Sequence, residues 1–383
     1  MMSLLALYSP AGGAMTGGRA RLAAVLVSAG ALAASGVMAA GQAPAAAGVR
    51  PHAGGWRIAL SVAGHNAPYF SAVTATGLAS GWAFEGFQFG GTDRPAAFQL
   101  TGSGWQRAAF PGRPGERVTW AAASSPGNVW AIVLDFPGPT TRVLRWDGAT
   151  WSVARQFRRA AGGLAVPGPR NVWVFGFGFG ARSLGARHWN GHRWTAPPSG
   201  HGLIAGSGRA ADDFWAVGGR LVAHWTGHRW ARTSVAALLP RKAVTVHPRL
   251  VDIYEQSPSS VWAVGSGYRE QGGGPVVVLH YDGHHWSRAA QGGAGNPWQI
   301  VPDGSGGLWI PVPTIDGIDG ATGRIVHVTG GHLTDAPLPV SPDEVSVQSI
   351  ANAPGTTRSF AAGFTHARFD PISGVRAVLL QVS

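Results

Sequence analysis

The chain has 383 residues, of which only 13% are charged, whereas 58 are glycine and 17 are tryptophan. This composition argues against amphipathic helices and favours short strands joined by tight turns around aromatic side chains. The chain lacks cysteine, which excludes disulfides and a lipoprotein anchor, so that stability must come from burial alone. The formal charge of +12 is nearly all arginine, because Lys242 is the only lysine. A basic surface attracts acidic polymers, although an arginine-rich genome explains the same charge, and without a run of like charges we expect no specific nucleic-acid partner.

Residues 1–40 have the features of an export signal. Arg19 and Arg21 precede an uncharged run from Leu22 to Ala40, and Val37–Ala39 offers the small residues that a signal peptidase recognises. Met15 is a possible true start. The alternative is an uncleaved membrane anchor, but the alanine and glycine content makes the run only weakly apolar. We therefore expect cleavage and a secreted or cell-envelope protein, with membrane contact only if the run is retained.

One pattern recurs along the rest of the chain, in which an apolar strand contains an aromatic residue. The recurring aromatics are Trp82, Trp130, Trp173, Trp215, Trp262, Trp309 and Phe360. Their spacing ranges from 42 residues (Trp173 to Trp215) to 51 residues (Trp309 to Phe360). Repeats of about 40 to 50 residues with several strands each are typical of propeller blades. The chain is therefore predicted to be an all-β, seven-bladed β-propeller.

Each repeat predicts four strands, of which the last two form a hairpin with a second tryptophan. Sequences such as "RWDGATW" and "HYDGHHW" suggest two-residue turns at Asp147-Gly148 and Asp282-Gly283, with positive φ at both central residues. Such turns would place the fourth-strand tryptophans opposite apolar residues of the third strand. The predicted pairs are Leu279 with Trp286, Leu144 with Trp151, and Phe98 with Trp105. We expect them to wedge between adjacent blades.

The last repeat lacks a fourth strand, and the beginning of the propeller supplies a candidate. "GGWRIAL" (Gly54–Leu60) matches the fourth-strand pattern, with Trp56 at the position of Trp286. This strand would complete the seventh blade and close the ring, which removes exposed sheet edges. Residues 54–383 are thus one predicted propeller domain, expected to be monomeric, and residues 41–53 are a flexible linker.

The stretch "VWAVGS…VVVLHYDGHHW" resembles a kelch-type repeat, such as those in the propeller of galactose-oxidase-like proteins. The resemblance covers about residues 54–383, and the period is its best-matched part. The glycine pair of that repeat is intact only at Gly218-Gly219. The resemblance therefore implies the fold and carries no catalytic residue, and no cofactor is expected.

Histidines recur at short spacing and raise the question of a metal site. His188, His224, His280 and His327 occupy the same position in four repeats, on the predicted third strand. Equivalent positions of a propeller lie around a ring and cannot converge on one ion, so no metal site is predicted.

The loops between the second and third strands are long and unlike one another, except in the fourth repeat. They combine aromatic side chains, which stack on sugar rings, with arginines at the rim. The candidate binding residues are Phe87, Phe89, Arg94, Phe177, Phe179, Arg182, Tyr268, Arg269 and Arg368. We expect this face to bind a cell-wall or other polysaccharide, or a protein partner. The insertion Ser234–Arg249 is a further candidate recognition element.

The alternative function is an extracellular carbohydrate-active enzyme, a hydrolase or lyase, with its site at the mouth of the channel. Glycosidase chemistry needs two carboxylates across one bond. The inner strands offer few polar candidates, namely Asp252, Glu255, Gln299 and Gln348. This scarcity of acids favours binding over catalysis.

Overall fold

A computed structural model describes residues 55–87, 92–135, 140–176, 183–241, 247–268, 274–312, 323–339, 343–367 and 374–383. These residues form seven antiparallel sheets of four strands each, which are the blades of a β-propeller. We number the strands of a blade from first to fourth, beginning with the inner strand. The only helix within the described ranges is one 3₁₀ turn, Ala236–Leu238. No helix in the same ranges is long and apolar enough to span a membrane.

The strands are numbered in chain order, beginning with β1 (Arg57–Ala63). Blade 1 consists of β2 (Pro68–Gly77), β3 (Ser80–Phe87), β4 (Ala96–Thr101) and β5 (Gly104–Ala108). Blade 2 consists of β6 (Glu116–Ser125), β7 (Asn128–Asp135), β8 (Thr141–Trp146) and β9 (Trp151–Phe157). Blade 3 consists of β10 (Ala161–Gly168), β11 (Asn171–Gly176), β12 (Arg187–Trp189) and β13 (Trp194–Thr195). Blade 4 consists of β14 (Ala205–Gly208), β15 (Phe214–Gly218), β16 (Leu221–Trp225) and β17 (Trp230–Ser234). Blade 5 consists of β18 (His247–Ser257), β19 (Ser260–Tyr268), β20 (Gly274–Tyr281) and β21 (Trp286–Gly295). Blade 6 consists of β22 (Val301–Pro302), β23 (Leu308–Val312), β24 (Arg324–Thr329) and β25 (His332–Ala336). Blade 7 consists of β26 (Asp343–Asn352), β27 (Ser359–Ala367), β28 (Arg376–Val382) and, as its fourth strand, β1.

Strand order defines two faces of the ring. The face that carries the first-to-second and third-to-fourth hairpins is called the turn face. The opposite face carries the second-to-third loops and the connections between blades, and is called the loop face. Phe87 and Arg94, two of the candidate binding residues, lie at the two ends of one loop of this face.

The ring closes as the sequence predicts. Strand β1 pairs antiparallel with β28, from Arg57 opposite Gln381 to Ala63 opposite Arg376. Trp56, immediately before β1, is 4% exposed and packs edge-on against Trp309 of blade 6, with ring centroids 5.5 Å apart. The N-terminal strand therefore covers an edge of β28 that would otherwise be open.

The predicted hairpin register is wrong by two residues. Trp286 lies opposite Tyr281, Trp151 opposite Trp146, and Trp105 opposite Leu100, rather than opposite Leu279, Leu144 and Phe98.

The cause of the error in blades 2 and 5 is the aspartate that begins each turn. The Asp147 carboxylate accepts hydrogen bonds from the backbone N–H groups of Ala149 and Thr150, at 2.9 and 2.8 Å. This bonding lowers the pKa of Asp147 and holds a four-residue turn, in which Gly148 has a φ of 104° while Asp147 does not have a positive φ. Asp282 makes the same two bonds in blade 5. In blade 6, by contrast, Gly330 and Gly331 both have positive φ and form the expected two-residue turn.

The tryptophan wedges between blades are present despite this shift in register. The fourth-strand tryptophan of a blade packs against the second-strand aromatic of the preceding blade. The pairs are Trp105–Phe360, Trp151–Trp82, Trp194–Trp130, Trp230–Trp173, Trp286–Trp215 and Trp56–Trp309, with ring centroids between 5.1 and 6.1 Å apart. In blade 6 the position holds Leu333, which packs in the cluster that contains Trp262. The repeated aromatic side chains therefore pack adjacent blades against each other around the ring.

A glycine three residues after the second-strand aromatic has a packing role in several blades. At Gly218, Gly265 and Gly363, an added Cβ would collide with a backbone carbonyl oxygen, that of Gly202, Arg249 and Ser346 respectively. In blades 5 and 7 this carbonyl belongs to the first strand of the same blade, which pairs with the strand that carries the glycine. Glycine ends the apolar run because nothing larger fits there.

We expect Gly265→Ala to destabilise the propeller by about 1–3 kcal/mol or more, because the new methyl group must push strand β18 away. Gly77→Ala is the matched control: Gly77 also lies in a strand, and an added Cβ would meet nothing within 4 Å. Urea unfolding of both variants tests the difference. Equal midpoints would show that β18 yields without cost.

Candidate functional site

Hydrogen bonds tie the loop face together where blade 1 meets blade 2. The Asp93 carbonyl accepts a hydrogen bond from the Gly115 N–H at 3.0 Å, and Arg94 donates to the carbonyl of Gly112 at 3.5 Å. Asn66, in the connection from blade 7, donates to the Asp93 carboxylate. The base of the second-to-third loop of blade 1 is thus tied to both neighbouring connections.

A buried ion pair fixes the next part of this face. Arg142 Nη1 lies 2.8 and 2.6 Å from the two carboxylate oxygens of Glu116, and both side chains are at most 5% exposed. The Arg113 N–H donates to the same carboxylate at 2.8 Å, and Arg142 also donates to the carbonyl of Pro111. Removing one partner of such a pair leaves an uncompensated buried charge, so the pair holds the connection between blades 1 and 2 in one conformation.

The structure describes only part of the predicted binding set. Phe87 is half-buried at the end of β3, and Arg94 is exposed at the other end of the same loop. Tyr268 ends β19, but its side chain is outside the described residues. The remaining six candidates also lie outside them: Phe89, Phe177, Phe179, Arg182, Arg269 and Arg368.

The inner-strand polar residues act mainly between blades. Asp252 accepts a hydrogen bond from the Ile300 N–H at 3.0 Å, and Gln299 accepts one from the Ile350 N–H at 3.0 Å. Ser349 continues the series and accepts from the Val73 N–H at 3.4 Å. Cross-strand register places Asp252 and Ser349 at the same position of blades 5 and 7, and Gln299 lies just before β22 in blade 6. Each accepts from a backbone N–H in, or directly beside, the first strand of the following blade. They link the first strands of blades 5, 6, 7 and 1, and the sequence alone did not indicate this role.

Burial has raised the pKa of Asp252 to about 7. The hydrogen bonds from the Ile300 and Ile253 N–H groups oppose this effect but do not outweigh it. A carboxyl group buried against an apolar wall favours its neutral form. Gln348, the fourth inner-strand candidate, is 1% exposed and donates to Ser346 at 3.3 Å.

Glu255 differs from the other inner-strand residues, because the repeat does not call for an acid at its position. The equivalent positions hold Pro302 in blade 6 and Gly208 in blade 4. Glu255 is 3% exposed, and neither carboxylate oxygen makes a hydrogen bond of ordinary geometry to the described residues. Burial, followed by the nearby charge of Asp213, raises its pKa to about 7, while Arg209 opposes the shift.

The four repeated histidines stack on the tryptophan of their own blade. The ring centroids of Trp173–His188, Trp215–His224, Trp262–His280 and Trp309–His327 lie 4.0 to 4.2 Å apart, with the rings within 28° of parallel. Each Nε2 atom also meets a polar oxygen, on Asn171, Asp213, Ser260 and Asp303 respectively, at 2.6 to 3.0 Å. These histidines brace the second strand against the third.

Burial and hydrogen bonding shift the pKa values of two groups in these stacks. Burial lowers the pKa of His188 to about 4. Burial would raise the pKa of Asp303, but hydrogen bonds from His327, Ser305 and the Gly307 N–H hold it well below its usual range. No group of three histidine, aspartate or glutamate side chains in the described ranges is arranged to hold a metal ion.

Sequence reasoning found the histidine positions but not their stacking, because the stack depends on cross-strand register. One signal was available. The residue two positions before the tryptophan is a hydrogen-bonding residue, Asn128, Asn171, Asp213 and Ser260 in blades 2 to 5. Such a residue beside a buried ring predicts a polar partner for it.

With this geometry in hand, the class of protein is a closed, seven-bladed β-propeller. No protein-family model and no curated protein sequence matches the chain. Solved propellers do. YCF48 bound to a D1 peptide has a TM-score of 0.52 at 12% identity, covering 86% of this chain and 97% of that one. The WD40 repeats of RRP9 have a TM-score of 0.57 at 12% identity, covering 87% of this chain and 98% of that one.

An enzyme is also among the structural neighbours. The GH74 enzyme of Niastella koreensis has a TM-score of 0.51 at 14% identity, covering 81% of this chain and 53% of that one. This chain therefore spans about half of that enzyme. At such identities the likeness concerns the fold, and the kelch assignment in particular finds no matching family.

Proposed function

We propose that the protein is a secreted or cell-envelope binding module whose loop face takes a glycan. The observation that carries the proposal is the fixed loop base of blade 1. Phe87 and Arg94 stand at the two ends of one loop, and its base is tied through Asp93 and Gly115 to the adjoining connection. A rigid frame lowers the entropic cost of binding, and an aromatic beside an arginine suits a hydroxyl-rich ligand.

Two further observations support binding over carbohydrate catalysis. Asp252 and Gln299 accept hydrogen bonds from backbone N–H groups of the next blade. Both are among the polar candidates that the sequence offers for the mouth of the channel. The Glu255 carboxylate oxygens are buried away from solvent. A protein partner is the second binding candidate, since one structural neighbour, YCF48, binds a peptide.

The test is a triple variant, Phe87→Ala with Phe177→Ala and Tyr268→Ala, measured for retention on insoluble cell-wall material and soluble polysaccharides. Each aromatic contact contributes about 0.5–1.5 kcal/mol, so we expect retention to fall by about tenfold or more with an unchanged melting temperature. Leu78→Ala, an exposed apolar residue of the turn face, is the control. Wild-type retention by the triple variant would overturn the proposal, and so would its unfolding, which would show these aromatics to be core.

A further inference from the structure

A groove lies on the loop face at the outer edge of blade 4. Its volume is about 460 Å³, and it is lined by Arg220, Leu221, Arg232, Thr233, Ser234 and Ala236. Blade 4 has the shortest second-to-third connection, with only two residues between β15 and β16. The 3₁₀ turn that begins the insertion forms one wall. A volume of this size falls in the range of about 300–1,000 Å³ found for small-ligand sites.

Two arginines supply the charge of this groove. Arg220 Nη2 donates to the Ala236 carbonyl at 3.3 Å, which ties the groove's rim to the 3₁₀ turn. Arg232 Nη2 donates to the carbonyls of Ser199 and His201, the latter at 2.8 Å. These bonds position both guanidinium groups and use one nitrogen of each.

Neither arginine is paired with a carboxylate in the described part of the chain. Both side chains are exposed, and their remaining N–H groups make no hydrogen bond to described residues. An unpaired guanidinium held in place by a carbonyl is suited to bidentate contact with a carboxylate. Ser234 and Ala236, at the start of the insertion, thus line a charged groove.

From these contacts we infer that the groove binds the carboxylate groups of an acidic polysaccharide, a uronic-acid polymer. The inference rests on the proposed function, since it names the class of glycan for the same face. The lining provides two cations and the hydroxyl groups of Thr233 and Ser234, which match the carboxylates and hydroxyls of a uronate chain. It contains no aromatic side chain, whereas protein-binding hot spots are rich in tryptophan and tyrosine.

The experiment measures binding of polygalacturonate to the full chain, with a neutral glucan and polyglutamate as comparison polymers. The test variant is Arg220→Ala with Arg232→Ala. The control is Arg193→Ala with Arg229→Ala, which removes the same charge from exposed turns of the opposite face. Because loss of Arg232 could loosen the Ser199 loop, Arg220→Ala alone is measured as well, and melting temperatures are compared.

We expect the Kd for polygalacturonate to rise about tenfold or more in the test variant and by less in the single variant. The control variant should bind as wild type. Equal losses in test and control variants would show that only net charge matters, and would overturn the inference. Equal wild-type affinity for polyglutamate would overturn the glycan assignment. Binding of the neutral glucan but not of polygalacturonate would refute the groove and leave the proposed function standing. Loss of binding to all polymers in the aromatic triple variant would support the proposed function.

Discussion

Deletion of the chain through Leu60 is expected to remove most of the propeller's stability, although the deleted residues lie at a terminus of the ring. The deletion takes away most of β1, exposes the edge of β28, and removes the packing of Trp56 against Trp309. Truncating one buried tryptophan alone costs about 3–5 kcal/mol, which is a large part of a typical stability of about 5–15 kcal/mol. The exposed strand edge should also promote aggregation.

Two variants isolate the cause of this effect. Trimming only to His52 leaves Trp56 and β1 intact and should not change the melting temperature. Trp56→Ala keeps the strand but removes the wedge, and its melting temperature should fall between the other two. A melting temperature unaffected by the deletion through Leu60 would show that β1 does not hold the ring closed.

Replacing Glu255 by glutamine is expected to stabilise the protein increasingly as pH rises from about 5 to 8. The carboxyl group has a pKa of about 7 in the folded chain, above its ordinary value of 4.5. Below pH 4.5 it is protonated in both the folded and the unfolded chain, so its contribution to stability is fully present there. Between pH 4.5 and 7 the unfolded chain releases the proton first, and stability falls by about 1.4 kcal/mol per pH unit.

Glutamine cannot ionise, so the variant avoids a loss that reaches about 3 kcal/mol by pH 8. The measurement is urea unfolding of variant and wild type across pH, and the quantity compared is their difference. Asp252, with a pKa of about 7, and His188, with a pKa of about 4, titrate alike in both proteins and cancel from that difference. Asp212→Asn, in the exposed turn beside Asp213, is the control for removing a surface carboxylate from the same region. A constant difference between wild type and Glu255→Gln would mean that Glu255 is ionised in the folded protein at neutral pH.

The sequence was sufficient for the architecture because propeller blades repeat. The spacing of Trp82, Trp130 and their equivalents gave the number of blades, and Trp56 gave the closure. The hairpin register could not be predicted in the same way. It depends on whether Asp147 and Asp282 adopt positive φ or bond to the backbone ahead of them, and a two-letter turn motif does not distinguish these cases.

The functional side chains were harder to predict for a related reason. Asp252 and Glu255 are three residues apart on one strand, yet one bonds to the next blade and the other is influenced by Asp213 of the previous blade. The pairing is regular from Asp252 to Glu255, so ordinary alternation directs the two side chains to opposite faces of the sheet, but the sequence does not show which groups of the neighbouring blades they meet there. The arginine groove could not be predicted from the sequence, because only the pairing of β16 with β17 brings Arg220 and Arg232 to the same groove.

The way the ring closes also sets how the molecule can be presented. Strand β28 runs toward the turn face and ends at Val382, and β1 begins beside it, so that Gly55 and Ser383 lie at the same end of this strand pair. A support joined directly at Gly55 or at Ser383 would therefore be attached at the outer edge of blade 7, at the end that faces away from the second-to-third loops. A propeller attached at either of these two residues would present its loop face away from the support, and that face would stay open to a polymer approaching from solution.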